Sequence, residues 1–201
     1  MIFAGVLGLQ ATWLLAAELI RPTLSFAAVA ASIGWVRGDL WADSAVALSS
    51  GLATKIEGES ASQMGEPTEQ AWAAAERAAK LAPHDARVWL LLAALDSRLD
   101  WITRKVSGPL KMSYYTGPNE LALTPLRIRI ATSSDSITDA EIQNLVAGEI
   151  RTIILRQQNL KPSIVAAYRD ASPEGKRFIE AAIGDLDKGF LATIRAGGGR
   201  Q

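Results

Sequence analysis

The sequence predicts an all-α protein, and three observations predict it. Apolar residues make up 49% of the 201 residues but aromatics only 6%. The abundant Ala suits helices packed through small side chains, whereas a sandwich or barrel draws on Val, Thr and aromatics. Segments with apolar residues three and four apart alternate with Pro, Gly, Ser and Asn clusters that read as turns. The stretch Leu126–Ile130 alternates as a strand does, but it is short and has Pro118 and Pro125 before it.

The elements follow in order. Met1–Ile20 holds only Gln10 and Glu18 as polar side chains, and twenty helical residues reach about 30 Å, the thickness of a bilayer core. Arg21-Pro22 closes the run with a charge and a helix breaker. The expectation is a transmembrane signal anchor in the inner (cell) membrane. Two other readings stay open: a signal peptide cleaved near Ala28-Val29-Ala30, and a buried amphipathic helix. Arg21 and Arg37 after the span place the remainder in the cytoplasm by the positive-inside rule. A start site assigned in the wrong place would leave it periplasmic, and that side is favoured here. Phe26–Val36 is apolar but too short to cross.

Trp41, Ala45, Leu48 and Leu52 share one helix face, and Glu57–Glu66 reads as a loop. Pro67 opens an Ala-rich helix to about Leu81, and Asp85 caps one running to Leu99. Trp101–Tyr115 is a further helix that Gly108-Pro109 must kink or interrupt. After the turn Gly117-Pro118-Asn119, Asn119 caps a helix over Glu120–Ala131. Thr138 and Glu141 form a capping box before the stripe Ile142, Leu145, Val146, Ile150, Ile153, Ile154, on a helix ending near Gln157. A short helix follows Pro162, and Ser172 caps another from Pro173 to about Asp187. The organisation expected is an anchor over 1–21, a juxtamembrane segment over 22–39, a helical domain over 40–195 and a disordered tail over 196–201.

Within Ala71–Leu99 the pattern changes from periodicity to a motif. Ala71 and Ala78 are small residues on one helix face, and Pro83 is the stop. Trp89, Leu92 and Ala93 then stand on the next helix. This resembles the junction between successive tetratricopeptide repeats. A weaker copy follows: Pro118 lies 35 residues after Pro83, against a family period of about 34, and Leu110 falls at a large apolar position. Thr124 stands where the Trp would recur, Pro125 falls inside the following helix, and Lys55 occupies the upstream Trp place. The resemblance covers roughly residues 40 to 131 and implies a short antiparallel helix stack, a solenoid or bundle, that binds a protein or peptide partner in a concave groove. An ordinary Ala-rich bundle is the alternative.

Chemistry is sparse. Lys plus Arg and Asp plus Glu are 21 each, so no overall field draws nucleic acid, and none is expected as a partner. The absence of cysteine excludes a disulfide framework, a thiolate zinc site and a cysteine nucleophile. His84 sits in a turn and reads as solvated, and Gly197–Gly199 has no following Lys. No metal, cofactor or catalytic group is expected, and the chain is read as not an enzyme. Candidate partner-binding residues are Tyr114 and Tyr115, adjacent before a Gly-Pro turn, with Arg127 and Arg129 as a basic surface together with Arg98, Arg104 and Lys105. The bland alternatives are one Tyr in the core with the other over the turn, and a solvated basic face.

The function expected is a membrane-anchored adaptor or scaffold that docks a protein or peptide, with envelope or polysaccharide assembly as a setting. Alternatives are a structural subunit of a larger membrane complex, where Gly5 and Gly8 allow close helix approach, and a small-ligand or carbohydrate-binding protein using Tyr114–Glu120.

Overall fold

The computed structural model describes residues 65–97 and 106–198. The expected anchor, the juxtamembrane segment, the helix over Leu40–Ile56, Arg98, Arg104 and Lys105 lie outside the described residues. Among the described residues every regular element is helical, and no helix is long and apolar enough to cross a membrane. The chain divides into two compact units between Leu95 and Asp96.

In the first unit, α1 (Gly65–Leu81) and α2 (Ala86–Asp96) form an antiparallel pair. Ala71, Ala74, Ala75, Ala78 and Ala79 of α1 are buried against Val88, Leu92 and Leu95 of α2, with Trp72, Trp89 and Leu91 packed at the edge. Small residues on one helix let large ones on the other fill the space. Asp85 caps α2 by accepting from Arg87 N at 3.0 Å. The indole of Trp89 donates to Pro83 O at 2.8 Å, tying the start of α2 to the turn.

The second unit has α3 (Ser107–Thr116), α4 (Thr124–Ser133), α5 (Ala140–Arg156), α6 (Lys161–Asp170), α7 (Pro173–Gly184) and α8 (Lys188–Gly198), with 3₁₀ turns at Asp135–Thr138 and Gln158–Leu160. Helix α4 is central: it packs on α3, α5, α6 and α7, while α8 packs on α6 and α7. Being covered from several sides, α4 buries Thr124, Arg127, Ile128, Ile130, Ala131 and Thr132, so no single apolar stripe marks it in the sequence.

Several boundaries differ from the sequence expectation, each for a local reason. Helix α3 starts at Ser107, so Pro109 lies in the first turn, where its missing N–H costs nothing and no kink is needed. Asn119 does not cap α4. Gly117–Thr124 is a run of tight turns, Glu120 N to Gly117 O at 3.3 Å and Leu123 N to Glu120 O at 2.9 Å. The helix begins only at Thr124, with Pro125 in its first turn rather than its interior. The capping box at Thr138 and Glu141 is replaced by a cap one residue later. The Asp139 carboxylate accepts from Glu141 N at 2.9 Å, while the Thr138 hydroxyl donates to Asp135 O at 2.8 Å. Ser172 does cap α7, accepting from Gly175 N at 3.0 Å. The segment expected to be a disordered tail is helical through Gly198, as the end of α8. Asp187, which accepts from Phe190 N at 2.9 Å, starts that helix.

Candidate functional site

The most demanding side chain in the second unit is Arg127, which is fully buried. A guanidinium out of water needs its donors answered and its charge balanced. Nε donates to Ser113 Oγ at 2.9 Å, and Nη2 donates to Gly117 O at 2.9 Å and to Ser113 O. The plane stacks over the Tyr114 ring, 4.6 Å from its centroid. Nη1 makes no hydrogen bond and faces Glu149 Oε1 at 3.6 Å, an ion-pair distance.

Glu149 balances that charge from α5. Its Oε2 accepts from the Tyr114 hydroxyl at 2.8 Å and its Oε1 from Thr124 Oγ1 at 2.8 Å. Burial pushes the Glu149 carboxyl above its ordinary value, although Tyr114, Thr124 and Arg127 pull the other way. Burial, then the charge of Glu149 beside it, pushes the Tyr114 hydroxyl up as well. Burial thus opposes ionisation of both groups, while the Arg127 guanidinium favours the ionised form. A carboxyl perturbed by burial and a specific partner, lying in a cleft, is a mark of a functional site.

The cleft is a cavity of about 520 Å³, lined by Tyr114, Pro118, Asn119, Leu121, Thr124, Leu145, Gly148, Glu149, Thr152, Ile153, Arg156 and Gln157. The α5 residues among these recur every three or four positions, so one face of α5 from Leu145, continued by Gln157 just past its end, forms a wall. At 1.5 Å per residue that wall is about 18 Å long. The end of α3, the turn after it and the start of α4 form the facing wall. The walls are mainly Pro118, Leu121, Leu145 and Ile153, with Glu149 as the one anion and Arg156 as the one cation among the lining residues. Volume and lining suit a ligand of a few residues.

The sequence-predicted residues fall in both units. Ala71, Ala78, Leu92 and Ala93 are buried in the first, where Pro83 is exposed in the turn. In the second, Leu110 is buried in α3 and Pro118 is exposed at the groove. Of the candidate partner-binding residues, Tyr114 and Arg127 come together, but buried rather than on an open surface: Tyr114 lines the groove and Arg127 contacts its ring from outside the lining. Tyr115 is 53% exposed and points elsewhere, its hydroxyl donating to Glu141, which with Asp139 also pairs Lys111. Arg129 forms an exposed ion pair with Asp170 at 2.8 Å.

Sequence reasoning missed Glu149, Thr124 and Arg156. One signal was present: Glu149 lies seven residues after Ile142 and one before Ile150, inside the apolar stripe of α5. An acid on a buried face demands a partner. Among the described residues no three His, Asp or Glu side chains converge as metal ligands. No protein-family model matches the chain, and no curated protein or solved structure matches it either.

Proposed function

We propose that this chain is a non-catalytic helical adaptor, and that its second unit holds a peptide segment of a protein partner in the groove along α5. One observation carries the reading: the groove extends for three turns of α5 between apolar walls, over a floor whose polar groups are already fixed by Arg127. Such a floor loses little entropy when a partner binds, which favours affinity. An elongated channel suits an extended chain better than a compact molecule. The resemblance of α1 and α2 to a tetratricopeptide junction supports the same class of function, with the apolar segment 1–20 as the anchor that holds the adaptor at the membrane.

A second reading, a small-ligand site built on Tyr114–Glu120, is favoured by the presence of Tyr114, Pro118 and Asn119 in the lining. For carbohydrate the support is weak, because Tyr114 is buried under Arg127 and Tyr115, the exposed ring, is not in the lining.

The test fills the groove without touching the core. Gly148 has nothing within 4 Å of where a Cβ would stand, and Thr152 is exposed. Gly148→Leu with Thr152→Trp in the full-length chain is expected to abolish crosslinking of its partner in intact membranes, with the melting temperature not lowered. Unaltered crosslinking by that variant contradicts the proposal.

A further inference from the structure

The groove is electrically polar along its length, and this assigns a chemistry to what it holds. Resting on the adaptor reading, we propose that it takes an acidic segment of the partner: Arg156 clasps a carboxylate at one end, and Glu149 receives a hydrogen-bond donor about three residues away in the same extended peptide.

Arg156 is exposed at the last turn of α5, and it makes no ion pair or hydrogen bond among the described residues. Arg151 and Arg169 are likewise unpaired among the described residues, but Arg156 is the arginine that lines the groove. The side-chain amide of the adjoining Gln157 has no intramolecular partner among the described residues either. That end of the groove thus offers a fork of guanidinium donors next to one amide, an arrangement that can receive a carboxylate.

Two turns back along α5, Glu149 has the opposite preference. Each oxygen of Glu149 accepts one hydrogen bond already and keeps a further lone pair for a donor. A second carboxylate brought there meets a like charge in a poorly solvated place. Glu149 therefore rejects an acid beside it and accepts a hydroxyl, amide or ammonium. Seven residues of α5 separate the two groups, a rise of about 10 Å. An extended peptide covers that distance in roughly three residues at ~3.3 Å each. The side chains between them lie over Thr152 and Ile153.

The probes are acetylated, amidated hexapeptides with a serine and, three residues on, a glutamate, a glutamine or a lysine, with leucines between. Binding to the detergent-solubilised full chain is read by fluorescence polarisation. The glutamate peptide is expected to bind about fivefold tighter than the glutamine peptide, the ratio a partly exposed ion pair supports. Arg156→Gln should erase that ratio, and Arg156→Glu should turn the preference toward the lysine peptide. Circular dichroism confirms that these surface variants fold. Moving the serine next to the glutamate should weaken binding, and unchanged binding overturns the role given to Glu149. Equal affinity for all three peptides, still lost in Gly148→Leu, overturns the acidic preference and leaves the adaptor reading intact. No binding of the glutamate peptide at millimolar concentration overturns the inference. Peptide binding that survives both Gly148→Leu and Thr152→Trp overturns the adaptor reading with it.

Discussion

Arg127 and Glu149 decide the character of the second unit because neither is tolerable there alone. Removing one partner of a buried pair leaves the other charge desolvated and unmatched, at a cost of about 3–5 kcal/mol. Arg127→Ala is therefore expected to lower unfolding stability by that amount in chemical denaturation of the chain. Arg127→Met combined with Glu149→Leu should recover only part of the loss, because the buried Ser113 and Tyr114 hydroxyls lose their Arg127 and Glu149 partners. The pH response follows from the same pair. Burial holds the Glu149 carboxyl above its ordinary value of 4.5, so the folded state binds that proton more tightly than the unfolded one. Its charge thus costs stability that grows as pH rises from 4.5 through the raised value. Asp139 and Glu141, lowered first by Lys111, behave oppositely, as does Glu180, lowered first by Arg195, and Asp187, lowered first by the Phe190 N–H. They contribute stability above their ordinary values that is lost as pH falls through the lowered ones, and exposure keeps each contribution small. The stability of Glu149→Gln relative to wild type should therefore rise as pH increases from 4.5 toward neutrality. A difference that stays flat means that Glu149 titrates alike in both states.

At the scale of elements, the ends of helices were legible where the cap is carried by the residue just before the helix. Asp85 and Ser172 could be read directly. The start of α5 was read one residue early, since Thr138 and Glu141 satisfy the capping-box pattern while Asp139 supplies the bonds. Asp139→Ala should accordingly cost about 1 kcal/mol in thermal unfolding and Thr138→Ala much less. Equal costs would restore the capping box. The start of α4 was misread because Asn119 looks like a cap, whereas the tight turns from Gly117 to Thr124 carry the chain without one. Helix α8 was missed because its last residues are glycines, although Asp187 with Phe190, Leu191 and Ile194 forms a cap and a face. Two glycines give opposite expectations. A Cβ at Gly175 would stand 1.9 Å from Thr132 O, where α7 docks on the end of α4 through Ser172, which donates to that same oxygen at 2.9 Å from its backbone N–H. Gly175→Ala should then destabilise by about 1–3 kcal/mol. Gly148→Ala, in open space inside α5, should stabilise by up to ~1 kcal/mol. Melting temperatures of the two variants moving in the same direction would contradict this packing.

For the whole molecule, helical faces were visible in the sequence, but which faces meet was not. Periodicity located the stripe of α5, and the unusual composition of Tyr114–Glu120 marked one wall of the groove. The link between them, Thr124 and Tyr114 to Glu149, spans 25 and 35 residues, and no local pattern records it. The adaptor reading depends on that link, because it turns two helix surfaces into one channel with a charged floor. The most direct measurement is site-specific photocrosslinking in intact membranes, with the photoreactive residue at Thr152 inside the groove or at Ala181 on exposed α7. The account predicts one recurrent protein adduct from position 152, absent from position 181 and lost when Gly148→Leu is added. Identical adducts from both positions, or adducts that persist in Gly148→Leu, would contradict it.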